Sequence, residues 1–199
     1  VKRGDVAQAI AAAIGPEPIV VCSLGSTSRA WRELGAPNPT YYGSDPMGLA
    51  ASLALGLALA VRPRRVLHLA GDGDLTMNLQ ALLAHAGAPP CALAVAVFHN
   101  GRYETGGGQP LAGNDATSLA RIAEGAGLRV LASPVDLDGV ASVAARLWDG
   151  DAIGFTTVPV EAEASPYGGP GDWSGVEERT LFLDRLRRER AAADGGAAS

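Results

Sequence analysis

The sequence predicts an α/β domain built on a doubly wound, mostly parallel sheet with helices on both faces. Apolar runs of four to eight residues, at 19–22, 66–70, 91–98, 128–132 and 153–159, alternate with stretches at helical spacing. Several of these runs stop at turns rich in glycine and oxygen-bearing side chains: Ser23-Leu24-Gly25-Ser26 and Gly71-Asp72-Gly73, each leading into a helix, and His99-Asn100-Gly101. Composition agrees, because 47% of the 199 residues are apolar and only 5% aromatic, which favours helices packed closely on a sheet over an aromatic-rich all-β core.

In chain order, residues 5–14 place small apolar and polar residues at helical spacing and stop at Gly15-Pro16. The run 19–22 is the first strand, and its small hydroxyl turn precedes a helix over 29–34. That turn can offer N–H and hydroxyl donors to an anion, or Ser26 or Ser28 can simply cap the helix. Residues 47–61 form a helix that is apolar all round and rich in small residues, hence one buried against the sheet or against another subunit. Strand 66–70 leads to a helix over 76–85 with Leu75, Leu79, Leu82 and Leu83 on an inward stripe and His85 as a surface residue at its end. Strand 91–98 alternates Ala and Val. The Gly-rich stretch 101–114 is long for a connection in a compact domain and reads as a lid or binding loop. Helix 116–126, strand 128–132, helix 136–147 and strand 153–159 continue the alternation. The domain is expected to span 1–160, followed by a Gly/Pro-rich linker at 161–175 and a charged amphipathic helix with a frayed tail at 176–199.

A net charge of −5 supplies no basic field for nucleic acid. Cys22 and Cys91 each fall in a strand-like run without paired spacing, so buried thiols are expected and neither a disulfide nor a metal cluster. The longest apolar helix is too short to span a bilayer and the amino terminus lacks a signal-like apolar core, so no membrane contact and a cytoplasmic location are expected.

The chemistry concentrates between Gly71 and Gln109. If the strands ending at Gly71 and at Phe98 are neighbours, Asp72 and Asn100 bring a carboxylate and an amide oxygen to one crevice at the carboxyl edge of the sheet, where open α/β sheets bind ligands. Such hard oxygens suit Mg²⁺, which keeps positions open for waters and phosphate oxygens. The glycines on either side of Asp72 let backbone N–H groups approach those oxygens, so the expected ligand carries a diphosphate.

At these residues the sequence resembles the thiamine diphosphate enzymes, whose diphosphate-binding domain carries Gly-Asp-Gly followed, about a helix and a strand later, by Asn. The resemblance implies thiamine diphosphate and Mg²⁺ as cofactors, with Asp72, Asn100 and the Arg102 carbonyl as metal ligands. It places Gly71, Gly73, Asp74 and Tyr103 at the cofactor and brings Gly25 and Ser26 to the diphosphate. It makes Met47 the bulky residue beneath the cofactor rings and the carbonyl of Asp45 the acceptor for its exocyclic amine, although Asp45-Pro46 stands where the family usually has Gly-Ser. The stretch Tyr103-Glu104-Thr105-Gly106-Gly107-Gly108-Gln109 is similar to the branch containing sulfopyruvate and phosphonopyruvate decarboxylases, with Glu104 where that branch usually has Gly.

In this family the activating glutamate comes from a separate pyrimidine-binding domain, for which a single α/β unit has no room. The resemblance therefore implies the diphosphate-binding (β-type) subunit of a two-subunit 2-oxo-acid decarboxylase. Its partner would be a pyrimidine-binding-domain subunit, in a hetero-oligomer such as a heterodimer of dimers, acting on a small 2-oxo acid. Two other readings stay open: a carboligase subunit with the same cofactor, and a non-enzymatic Mg²⁺- or nucleotide-binding module. His68 and His99 are assigned no role.

Overall fold

A computed structural model of the chain describes residues 1–44, 46–114, 118–163 and 175–196. Helix α1 (Arg3–Ile14) leads into β1 (Ile19–Cys22), α2 (Ser26–Leu34), β2 (Thr40–Tyr42), α3 (Ala50–Ala60) and β3 (Val66–Gly71). Two short helices, α4 (Asp72–Thr76) and α5 (Gln80–Ala86), precede β4 (Leu93–His99). A small antiparallel pair, β5 (Arg102–Tyr103) and β6 (Gln109–Pro110), is followed by α6 (Leu119–Ala126), β7 (Arg129–Val130), α7 (Leu137–Ala145), β8 (Gly154–Pro159) and α8 (Gly175–Gly196). Six strands form one parallel sheet in the order β2-β1-β3-β4-β8-β7. No described helix is long and apolar enough to cross a membrane.

The period of two along each strand divides the core. Val66, Ala70, Val95, Val97 and Phe155 face α3, α5, α6 and α8, while Leu67, Leu69, Ala94, Ala96 and Val158 face α1, α2 and α7. Burial of both faces is why these strands read as continuous apolar runs. The chain moves from β1 to β2 on one side and returns to β3 on the other, so the order reverses at β1/β3, and a crevice opens at the carboxyl ends of the strands there. The register Gly71↔Phe98 sets the ends of β3 and β4 side by side, so that Asp72 and the His99-Asn100 turn are neighbours.

Several expectations are corrected. The helix expected at 29–34 begins at Ser26; Gly25, at φ +81°, is its N-cap, and no side chain caps it, so neither Ser26 nor Ser28 plays that part. The helix expected over 47–61 begins at Ala50, because Gly48 is left-handed (φ +88°), and it leaves Leu49 and Leu53 exposed. The single helix expected over 76–85 is two. Its junction is tightened by i→i−3 bonds, from Met77 N–H to the Asp74 carbonyl and from Asn78 N–H to the Leu75 carbonyl. The resulting change of phase turns Leu83 outward (65% exposed) and His85 inward (2% exposed), the reverse of the sequence reading.

The three-residue β2 and the β5/β6 pair carry no sequence pattern long enough to be read. Helix α8 continues through residues 191–196, where a frayed tail is expected, and Cys91 is only half-buried. Most of the expected linker, residues 164–174, lies outside the described residues, as do 116 and 117 of the helix expected over 116–126.

Candidate cofactor site

At the carboxyl edge of the sheet is a cavity of about 360 Å³. Of the residues singled out from the sequence, Ser26, Met47, Gly71, Asp72, Gly73, Asp74, Asn100, Arg102 and Tyr103 line it together. Gly25 does not, being placed behind Ser26 as the N-cap of α2, and Asp45 lies outside the described residues.

The Asp72 carboxylate is held by main-chain donors. Gly73 N–H donates to Oδ1 (2.8 Å), and Asn100 N–H (2.9 Å) and Gly101 N–H (2.7 Å) donate to Oδ2. It is 3% exposed, more enclosed than a turn residue at a strand end reads from sequence. His99 Nδ1 lies 2.9 Å from the same Oδ2 but makes no aligned hydrogen bond. Three N–H donors leave about one of a carboxylate's four acceptor directions open. Asn100 Oδ1 accepts from Arg102 N–H (2.8 Å), folding the turn so that a second lone pair of the amide oxygen remains. The Arg102 carbonyl lies over Gly73, where a Cβ would be in ordinary contact with that oxygen (3.7 Å) but only 2.8 Å from Tyr103 Cδ1, so any larger residue there would displace the Tyr103 ring.

This donor set of carboxylate, amide oxygen and peptide carbonyl, without sulfur, fits a hard divalent cation. Among the described residues no group of three His, Cys, Asp or Glu side chains competes for a metal. The uncapped amino end of α2 borders the cavity through Ser26 and Thr27, which suits an anion. Mg²⁺ with a diphosphate therefore fits the residues present.

The remaining walls include Arg3, which the sequence reading missed, and Glu104, which it singled out only as standing where the related branch usually has Gly. Glu104 is a junction. Its Oε2 accepts from Arg3 Nη2 (2.7 Å) and from Ser26 Oγ (2.7 Å), and its Oε1 accepts from Glu163 N–H (3.0 Å). The ion-paired side chains are nearly buried, 5% exposed for Arg3 and 6% for Glu104. The Ser26 hydroxyl is thus given to Glu104, and what Ser26 offers the cavity is its place at the start of α2. The stretch expected as a lid or binding loop lines the cavity through 102–106, 109 and 110, as a folded hairpin tied at Glu104 to α1 and to the first residue of α2. No local pattern announces Arg3, which stands 101 residues from its partner.

Asp74 is likewise committed. Oδ1 accepts from Gly48 N–H (3.0 Å) and Oδ2 from the Ser23 hydroxyl (2.7 Å), and burial raises its pKa against the lowering effect of these two bonds.

The chain is 35% identical over 122 residues to "Sulfopyruvate decarboxylase subunit beta" of Methanothermobacter thermautotrophicus, covering 61% of this chain and 65% of that one. It is 32% identical to the protein of the same name from Methanocaldococcus jannaschii, covering 64% and 67%, and 32% identical to "Phosphonopyruvate decarboxylase" of Streptomyces hygroscopicus, covering 67% and 33%. The aligned stretch thus spans about two thirds of the β subunits and a third of the phosphonopyruvate decarboxylase.

The fold matches benzoylformate decarboxylase from Polynucleobacter necessarius, with a TM-score of 0.71 at 19% identity over 81% of this chain and 33% of that one. It also matches the thiamine diphosphate-dependent 4-hydroxybenzoylformate decarboxylase of Rhodococcus jostii, with a TM-score of 0.70 at 20% identity over 83% and 33%. Residues 23–147, more than half of the chain, match the family model "Thiamine pyrophosphate enzyme, C-terminal TPP binding domain", and the chain belongs to that family.

Proposed function

We propose that this chain is the diphosphate-binding half of a thiamine diphosphate- and Mg²⁺-dependent 2-oxo-acid decarboxylase, completed by a pyrimidine-binding-domain subunit. The observation that carries the reading is the convergence of Asp72, Asn100 and the Arg102 carbonyl at the ends of two neighbouring strands, in one cavity with Met47. When bound, thiamine diphosphate supplies the electron sink for loss of carbon dioxide from the 2-oxo acid.

Asp72, Asn100 and the Arg102 carbonyl would hold the cation. Gly71, Gly73 and the start of α2 would take the diphosphate, with Tyr103 closing over Gly73. Met47, half-buried in the cavity wall, would support the rings. The relatives' names support a sulfonated or phosphonated pyruvate as substrate.

Support for a partner comes from two sides. The β-subunit relatives are named as one part of an enzyme. Met77 (55% exposed) lines the cavity, and Leu49 (50%), Leu53 (39%) and Leu83 (65%) leave further apolar surface at the start of α3 and on α5, which pack against each other. The test is carbon dioxide release by the chain co-expressed with a pyrimidine-domain subunit. Turnover of sulfopyruvate or phosphonopyruvate that needs both chains, thiamine diphosphate and Mg²⁺ is expected. Carbon–carbon bond formation with an added aldehyde, in place of aldehyde or proton-quenched product, would make the protein a carboligase subunit. Absence of cofactor binding with the partner present would leave only the non-enzymatic module.

A further inference from the structure

We infer that Asp74 and Asn78 are positioning residues that clamp the Met47–Gly48 turn into the cavity wall, a role that rests on the cofactor reading above but not on any contact with the diphosphate. Both carboxylate oxygens of Asp74 are engaged within the protein, one by Gly48 N–H (3.0 Å) and one by the Ser23 hydroxyl (2.7 Å), and the residue is 5% exposed. A carboxylate so placed accepts and does not donate, so it gives a phosphate oxygen no hydrogen bond.

The other side of Gly48 is held as well: its carbonyl accepts from Asn78 Nδ2 at 2.9 Å. Gly48 has φ +88°, and a Cβ there would fall 2.8 Å from Asn78 Cβ, so the turn and the α4–α5 junction are packed to contact. Asp74 thereby fixes the Met47–Gly48 peptide and Asn78 fixes the Gly48–Leu49 peptide. Both grips come from the segment that begins with Asp72, so the separation between Asp72 and the Met47–Gly48 turn is set by α4 and the α4–α5 junction, residues 72–78. Ser23, from the end of β1, is the third anchor, and its hydroxyl lies 3.4 Å from His68 Nε2.

Asp74→Ala, Asp74→Asn and Asn78→Ala in the assembled two-chain enzyme separate this role from a diphosphate contact. In Asp74→Asn the amide oxygen still accepts from Gly48 N–H and the amide nitrogen can donate to the Ser23 hydroxyl, so this variant should rescue. The Gly48 amide should exchange its hydrogen about 100-fold faster in Asp74→Ala than in wild type, and within about threefold of wild type in Asp74→Asn. Asp74→Ala and Asn78→Ala should lower turnover at saturating cofactor about tenfold, with cofactor Kd changed by less than about threefold, as Met47→Ala should.

Unchanged Gly48 exchange in Asp74→Ala would overturn the clamp. So would a large rise in cofactor Kd with normal turnover at saturation, which would return Asp74 to the diphosphate. If Asp74→Ala does not fold, Asn78→Ala, at a half-buried position, carries the same turnover-against-affinity test. Wild type that binds no thiamine diphosphate, while Gly48 exchange still depends on Asp74, would uphold the clamp and reject the cofactor reading.

Discussion

Asn100 and Asp72 differ in what else they hold, and that decides how each should be tested. The Asn100 side-chain oxygen accepts from Arg102 N–H at an exposed position, a bond within one turn, so Asn100→Ala should leave the fold within about 1 kcal/mol of wild type. Its Mg²⁺-dependent affinity for thiamine diphosphate, read by titration calorimetry, should fall at least about tenfold. Asp72→Ala removes the acceptor of three main-chain N–H groups as well, so it should lose cofactor binding and also loosen residues 99–103, a double effect visible by hydrogen exchange.

Glu104 belongs to the same scale. Glu104→Gln leaves Arg3 with only the half-exposed Glu163, at 3.3 Å, and should cost about 3 kcal/mol in chemical unfolding, whereas replacing both Arg3 and Glu104 by Met should cost less than Glu104→Gln alone. A double variant weaker than the single one would show that the pair is not the source of the effect. Asp72 and Asn100 were legible in the sequence because each ends an apolar run at a glycine. Arg3, and the partners of Glu104 and Asp74 within the fold, were not, since contacts 101 and 26 residues apart leave no local period.

At the scale of elements, strands buried on both faces were readable from their apolar runs, while elements shorter than a period or rephased by tight turns were not. His85 shows the consequence. The i→i−3 bonds at the α4–α5 junction turn it inward, where its Nε2 meets the Ala51 carbonyl at 3.1 Å. His68 lies on the same face of β3, wholly buried, and its pKa is pushed down to about 3, first by burial and then by His85. Burial also lowers His85, partly offset by its bond to Ala51.

In the unfolded chain both histidines take up protons near the ordinary value of about 6.5, while the folded chain resists. As pH falls below 6.5 the unfolded state therefore binds more protons, and stability is lost progressively toward the folded value of His68 near 3. Melting temperature should fall between pH 7 and 5.5, above the carboxylate range, by the equivalent of about 1 kcal/mol per pH unit for His68. His68→Gln should flatten that slope. An unchanged slope would mean that His68 does not stay neutral in the fold.

At the scale of the whole molecule, the sheet order and the register of β3 against β4 set Asp72 and the His99-Asn100 turn side by side, α1 and the β5/β6 hairpin close one wall of the cavity, and the α4–α5 junction holds Gly48, next to Met47, in another. The exposed Leu49, Leu53 and Leu83 are where the proposed reading puts the second subunit. The most direct measurement is titration of thiamine diphosphate into the chain assembled with a pyrimidine-domain subunit, in Mg²⁺ and again with the metal chelated, for wild type and Asn100→Ala. Saturable binding that requires Mg²⁺ and is weakened by Asn100→Ala is the predicted result. Binding of equal affinity with the metal removed, or no binding by the assembled wild-type complex, would contradict the assignment of this cavity as the Mg²⁺–diphosphate site.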